Sequence, residues 1–104
     1  MPETGGRYVY RLSGEIDHHR VQTLSRDLQA ALDTRLPGDL ELDFSGVSFM
    51  DSSGIALVLR ARRGMEELGG RVSLTHLPRQ AERVLRTAGV HHLVEIQQEE
   101  REGT

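Results

Sequence analysis

Between Phe49 and Ile55 the chain sets out Met50-Asp51-Ser52-Ser53-Gly54, a carboxylate and two hydroxyls followed by a glycine, immediately ahead of an apolar run. Small oxygen-bearing side chains suit the start of a helix, where free backbone N–H groups and the positive end of the peptide dipole require acceptors. The same N–H groups would hold a phosphate carried by one of the serines. Capping alone accounts for the residue types, and phosphoryl chemistry is compatible with it, so both readings stay open. Serine hydrolysis does not fit, because the Gly-x-Ser-x-Gly turn is absent and no recognisable acid and histidine follow. A second polar group, Asp17-His18-His19, sits within "GEIDHHR". Adjacent histidines diverge on a helix start and no further ligand motif follows, so a shared metal ion is not expected. Asp-His-His also occurs in metal phosphoesterases, which need further acidic motifs and a much longer chain. His91-His92, after Gly89, reads as a solvated loop. No catalytic residue, metal or cofactor is assigned.

The elements that must position these groups alternate in period. Tyr8, Tyr10 and Leu12 alternate with Val9, Arg11 and Ser13, which predicts a strand over Arg7–Ser13 that Gly14 breaks. Val21, Leu24, Leu28, Ala31 and Leu32 form one helical face from Asp17 onward, ended by Pro37-Gly38. Leu40, Leu42 and Phe44 alternate with Glu41 and Asp43 in a second strand, with Val47 and Phe49 as apolar anchors before the serine turn. Gly54–Ala61 is almost continuously apolar, and Met65 and Leu68 extend a helix stopped at Gly69-Gly70. Val72 and Leu74 mark a third strand, Pro78 opens a helix with Ala81, Val84, Leu85 and Ala88, and Leu93–Ile96 reads as a last strand. The predicted core comprises Val21, Leu24, Leu28, Leu42, Phe44, Ile55, Val58, Leu59, Val72, Leu74, Val84 and Leu85. Such alternation predicts an α/β domain with a largely parallel sheet. Both polar groups then fall at strand-to-helix junctions at the carboxyl ends of strands, with Asp17 within reach of the serine turn.

Bulk properties narrow the function classes. A chain of 104 residues accommodates one domain, here expected over residues 7–97 with short flexible ends at 1–6 and 98–104. The 13 basic residues, all arginine, are scattered among 16 acidic ones for a net charge of −3, which leaves no basic stripe for nucleic acid. No apolar run approaches the roughly 20 residues of a membrane helix. Met1–Gly6 shows no secretory signal, so a cytoplasmic location is expected. The absence of cysteine removes disulfides and thiol chemistry together.

Taken together, "LSGEIDHH", "LDFSGVSFMDSSGIALVL", the Gly69-Gly70 turn and "RVLRTAGVHHLVEI" closely resemble the STAS domain of bacterial anti-sigma factor antagonists, most nearly the sporulation branch acting on the anti-sigma factor of sigma F. The resemblance implies an α/β STAS fold with a four- to five-stranded mixed sheet covered by helices. It also implies a missing or shortened first strand, since Met1–Gly6 is too short and glycine-rich to supply the family's. Ser52 matches the phosphoacceptor. Asp17, Asp51, Ser53, Gly54 and Ile55 match positions at the surface that meets the anti-sigma factor, a serine kinase with a histidine-kinase-like ATP fold. The implied protein is not an enzyme. It would be an anti-anti-sigma factor whose unphosphorylated form binds that kinase and frees the sigma factor, with a serine phosphatase restoring it. The alternative is a STAS subunit regulating a lipid-transport ABC ATPase without phosphorylation, in which the turn tends to carry threonine and alanine.

Overall fold

The computed structural model describes residues 5–97. The flexible ends expected at 1–6 and 98–104, and the residues that would supply a preceding strand, lie outside this range except for Gly5 and Gly6. These two are tied to the end of the first helix, Gly5 N–H donating to Leu36 O and Gly38 N–H to Gly6 O.

The element order is β1 (Arg7–Ile16), α1 (Val21–Arg35), β2 (Asp39–Met50), α2 (Ser53–Glu67), β3 (Arg71–Thr75), α3 (Arg79–Thr87), a 3-10 turn at Val90–His92, and β4 (Glu95–Ile96). The four described strands lie in the order β1-β2-β3-β4, and every pairing is parallel. The mixed sheet expected from the resemblance is therefore parallel throughout its described strands, because each strand reaches the next through a helical crossover. One sheet face carries Leu12, Leu40, Leu42, Phe44, Val72 and Leu74, packed with Leu28, Leu32, Leu57, Val58, Met65, Ala81 and Leu85 of the helices into one core. Each fully buried Leu or Phe side chain there contributes about 1.5–3 kcal/mol of transfer free energy.

Several expectations shift in detail, and the last strand, expected over Leu93–Ile96, is limited to Glu95–Ile96. Gly14 does not end β1; at φ +76 it forms an irregularity that the strand crosses, and the Arg20 guanidinium donates to the Ser13 and Glu15 carbonyls beside it. Opposite, β2 carries extra residues between Asp43 and Gly46 and again between Val47 and Phe49. Each extra residue reverses which side chains face the core. Phe49 is accordingly turned outward, 44% exposed, and Met50 inward, fully buried, so Phe49 is no core anchor. Leu59, expected in the core, lies on the solvent side of α2, whereas Val58 is fully buried. Val21, Leu24, Ile55 and Val84 pack against the core while remaining partly exposed.

The sheet face away from the helices holds Glu41 and Asp43, both buried although strand alternation marks them as outward polar positions. Thr75 Oγ1 donates to Glu41 Oε2 at 2.7 Å, and Arg7 pairs with Oε1. Asp43 accepts from Ser45 N–H at 2.9 Å and lies 3.2 Å from His76 Nδ1 and 3.4 Å from Arg11 Nε. The Thr75 hydrogen bond holds the Glu41 carboxyl below its usual range, outweighing burial, and Arg7 adds to it. Burial pushes Asp43 up, but Ser45, His76 and Arg11 outweigh it, and the net shift is again downward. Groups with depressed folded-state values stabilise the fold above their unfolded values, and that contribution disappears as pH falls through the folded ones. The urea midpoint of the chain should therefore fall as pH drops from about 5 through the ordinary values of 4.5 and 3.8 and below. A Glu41→Gln, Asp43→Asn double variant should show a measurably flatter profile over that interval; an unchanged slope would remove the two carboxyls from the account.

Candidate functional site

The two sequence groups meet because β1 and β2 end together. Ile16 pairs with Met50, and Asp51 N–H donates to Ile16 O at 3.0 Å, so the chain leaves both strands side by side at the carboxyl edge of the sheet. Neighbouring strands lie about 4.8 Å apart, which makes Asp17 and Asp51 close neighbours.

Each junction is shaped by its aspartate. Asp17 Oδ1 accepts from the N–H groups of His19 and Arg20, both at 3.1 Å, and Val21 N–H donates to Asp17 O at 2.9 Å. The turn that Asp17 opens precedes α1, which starts at Val21 rather than near Asp17. At the second junction Asp51 Oδ1 accepts from Ser53 N–H at 2.7 Å, while Gly54 N–H donates to Asp51 O and Ile55 N–H to Ser52 O. Asp51 thereby supplies the side-chain acceptor that the helix start requires. Ser52 occupies the N-cap position of α2 with αR backbone angles, is exposed, and makes no capping hydrogen bond with its side chain. Its hydroxyl is left facing solvent at the positive end of a 15-residue helix. Capping therefore does not explain Ser52, although it does explain Asp51.

The other sequence-marked residues take different places. Ser53 and Ile55 are half-buried, and Gly54 is buried. A Cβ at Gly54 would lie 2.2 Å from Met50 Sδ and 2.4 Å from its Cγ, so Gly54 acts from beneath the surface by admitting the Met50 side chain. His18 and His19 are exposed with their rings 4.0 Å apart. Among the described residues no cluster of three or more His, Asp or Glu could hold a metal ion.

Two contributors have no signal in the sequence. Gln80, in the first turn of α3, donates its Nε2–H to Met50 O at 2.7 Å and accepts Met50 N–H at its Oε1 at 2.9 Å. This side chain takes the place of a neighbouring strand and fixes α3 beside the serine turn. One helical turn on, Arg83 and Val84 line with Ser52, Ile55, Thr87 and Ala88 an open groove of about 360 Å³. Gln80, Arg83, Val84 and Thr87 recur at the spacing of one helix face, which is legible in the sequence only once that face is known to meet the serine turn.

A family profile described as "Mlab, STAS domain" matches residues 2–95. The chain belongs to the STAS domain family. This STAS domain is 41% identical over 66 residues to an anti-sigma F factor antagonist of Lysinibacillus sphaericus, a match spanning 64% of the chain and 56% of that relative. The chain thus matches little more than half the length of that curated relative. Among solved structures it is similar to the anti-sigma factor antagonist SpoIIAA in its unphosphorylated form, at 31% identity and a TM-score of 0.76, covering 92% of this chain and 84% of that one. The Bacillus cell fate determinant SpoIIAA in its phosphorylated form is also 31% identical, with a TM-score of 0.66 over 92% of this chain and 86% of that one.

The packing of Met50 gives a direct test. Alanine at Gly54 gains about 1 kcal/mol of helix propensity, but overpacking against a fully buried side chain costs about 1–3 kcal/mol. Gly54→Ala should therefore lose stability in urea unfolding. Gln80→Ala, which strands the Met50 N–H and C=O, should cost about 1–3 kcal/mol. A neutral outcome at both positions would show that the turn is not held through Met50.

Proposed function

We propose that this STAS domain is an anti-anti-sigma factor, a non-enzymatic, cytoplasmic switch. Its unphosphorylated form binds an anti-sigma factor serine kinase and releases the sigma factor, of the sporulation sigma F type. Phosphorylation of Ser52 ends that binding, and a serine phosphatase restores it. The observation that carries the reading is the Ser52 hydroxyl: exposed, at a helix start, and relieved of capping by Asp51. The likeness to anti-sigma factor antagonists, one of them known in a phosphorylated form, supports it. Asp17, Asp51 and Ser53 would present the polar part of the kinase-facing surface. Ile55 would add an apolar contact beside exposed Phe49, and Gly54 would set the shape of the turn from below. No helix among the described residues is long and apolar enough to cross a membrane.

A phosphate at Ser52 adds about −1.5 to −2 charges. The positive end of the α2 dipole compensates part of that charge within the domain. A partner surface packed against Asp17 and Asp51 meets the remainder as repulsion and added volume. Incubation with ATP and the anti-sigma kinase from the same genome should label the wild type on Ser52 by peptide mass spectrometry and leave Ser52→Ala unlabelled. Ser53→Ala should still accept label. Asp17→Asn should slow labelling or weaken kinase binding with the melting temperature nearly unchanged. Label on Ser53 would overturn the Ser52 assignment, and absence of any label would favour the ABC-transport subunit reading.

A further inference from the structure

We propose that Arg83 of α3 is the counter-ion of the phosphoserine at position 52, and that the pair closes the apolar groove beside it. The inference rests on the reading of Ser52 as the phosphoacceptor. Ser52 and Arg83 line the same groove, whose remaining wall is formed by Ile55, Val84, Thr87 and Ala88. Neither group has another engagement there. The Ser52 side chain makes no capping bond, and among the described residues Arg83 makes no ion pair, whereas Arg86 on the same helix is held by Glu82 at 2.7 Å. The position of Arg83 is also constrained. Gln80, one turn earlier on the same face of α3, grips both backbone polar groups of Met50, two residues ahead of the serine.

The chemistry favours this partner. The N–H groups of Ser53, Gly54 and Ile55 are already engaged within the turn, so α2 offers a phosphate only the positive end of its dipole, and Asp51 and Asp17 add negative charge nearby. A guanidinium across the groove supplies the missing cation and can bind two phosphate oxygens at once through its planar donors. Its aliphatic stem would then lie over Ile55 and Val84, covering apolar surface while the charged end meets the phosphate. Phosphorylation would in this way change the partner-facing surface twice, by adding charge and by closing a groove that is open in the unmodified domain.

The test uses the full chain with phosphoserine incorporated at position 52 during translation, so its outcome is independent of which residue a kinase selects. Arginine side-chain proton–nitrogen NMR spectra are compared for the serine and phosphoserine forms. The Arg83 Nε–H signal should shift and exchange more slowly with water in the phosphorylated form, while that of Arg79, which does not line the groove, stays in place. In addition, Arg83→Gln should lower the melting temperature of the phosphorylated form by roughly 4 °C or more beyond its effect on the unphosphorylated form, and Arg79→Gln should affect both forms alike. An Arg83 signal identical in the two forms overturns the proposal. So does an equal effect of Arg83→Gln on both melting temperatures. Kinase labelling at another residue would instead overturn the reading of Ser52 and leave these results standing.

Discussion

The site depends on how Met50 is held. Its side chain is fully buried and fills the volume that Gly54 leaves by lacking a Cβ. Its backbone N–H and C=O are both taken by Gln80, and its strand neighbour is Ile16. One residue therefore couples the end of β2, the first turn of α2, the first turn of α3 and the end of β1. Asp51 and Ser52 follow directly, so their placement derives from a packed and hydrogen-bonded anchor and not from the flexibility of a loop. On the proposed reading, a surface that a kinase would recognise and bind would benefit from such preorganisation, since less is lost in ordering it on contact.

The rigidity beneath the turn leaves Ser52 free to change state. Asp51 has taken over the helix start, so adding a group to the Ser52 oxygen breaks no hydrogen bond made within the described residues. The new charge sits where the α2 dipole favours it. On the proposed reading the domain would carry either state with its core intact, and the free-energy difference would fall on whatever binds the surface. A factor of ten in affinity corresponds to about 1.4 kcal/mol, within the reach of one misplaced charge in a closely packed interface.

Much of this was legible from residue spacing because local chemistry and tertiary environment agree there. The apolar run of α2 except Leu59, and Leu40, Leu42 and Phe44, read correctly, and the Asp-Ser-Ser-Gly segment marked a helix start. The misreadings have identifiable physical causes. The first extra residue in β2 brings Val47 inward, out of step with Leu40, Leu42 and Phe44, and the second cancels that shift, so Phe49, which alternation from Val47 would bury, turns outward and Met50 inward. Glu41 and Asp43 read as solvent-facing because alternation reports the side of a strand and not whether neighbouring arginines, Thr75 and His76 enclose it. Gln80 and Arg83 lie some thirty residues downstream of the turn they serve. The Gln80 hydrogen bonds and the position of Arg83 in the groove follow from where α3 docks, which no local pattern encodes.

The central claim is that phosphate on Ser52 alters binding while the fold remains intact. It is tested most directly by titrating the anti-sigma kinase with the chain in its unmodified and Ser52-phosphorylated forms by calorimetry, with the melting of each form recorded in the same buffer. The account predicts affinity lower by about a hundredfold or more in the phosphorylated form, about 2.8 kcal/mol, with both forms melting cooperatively at similar temperatures. Equal affinities for the two forms, or a loss of binding that accompanies loss of cooperative melting, would contradict it.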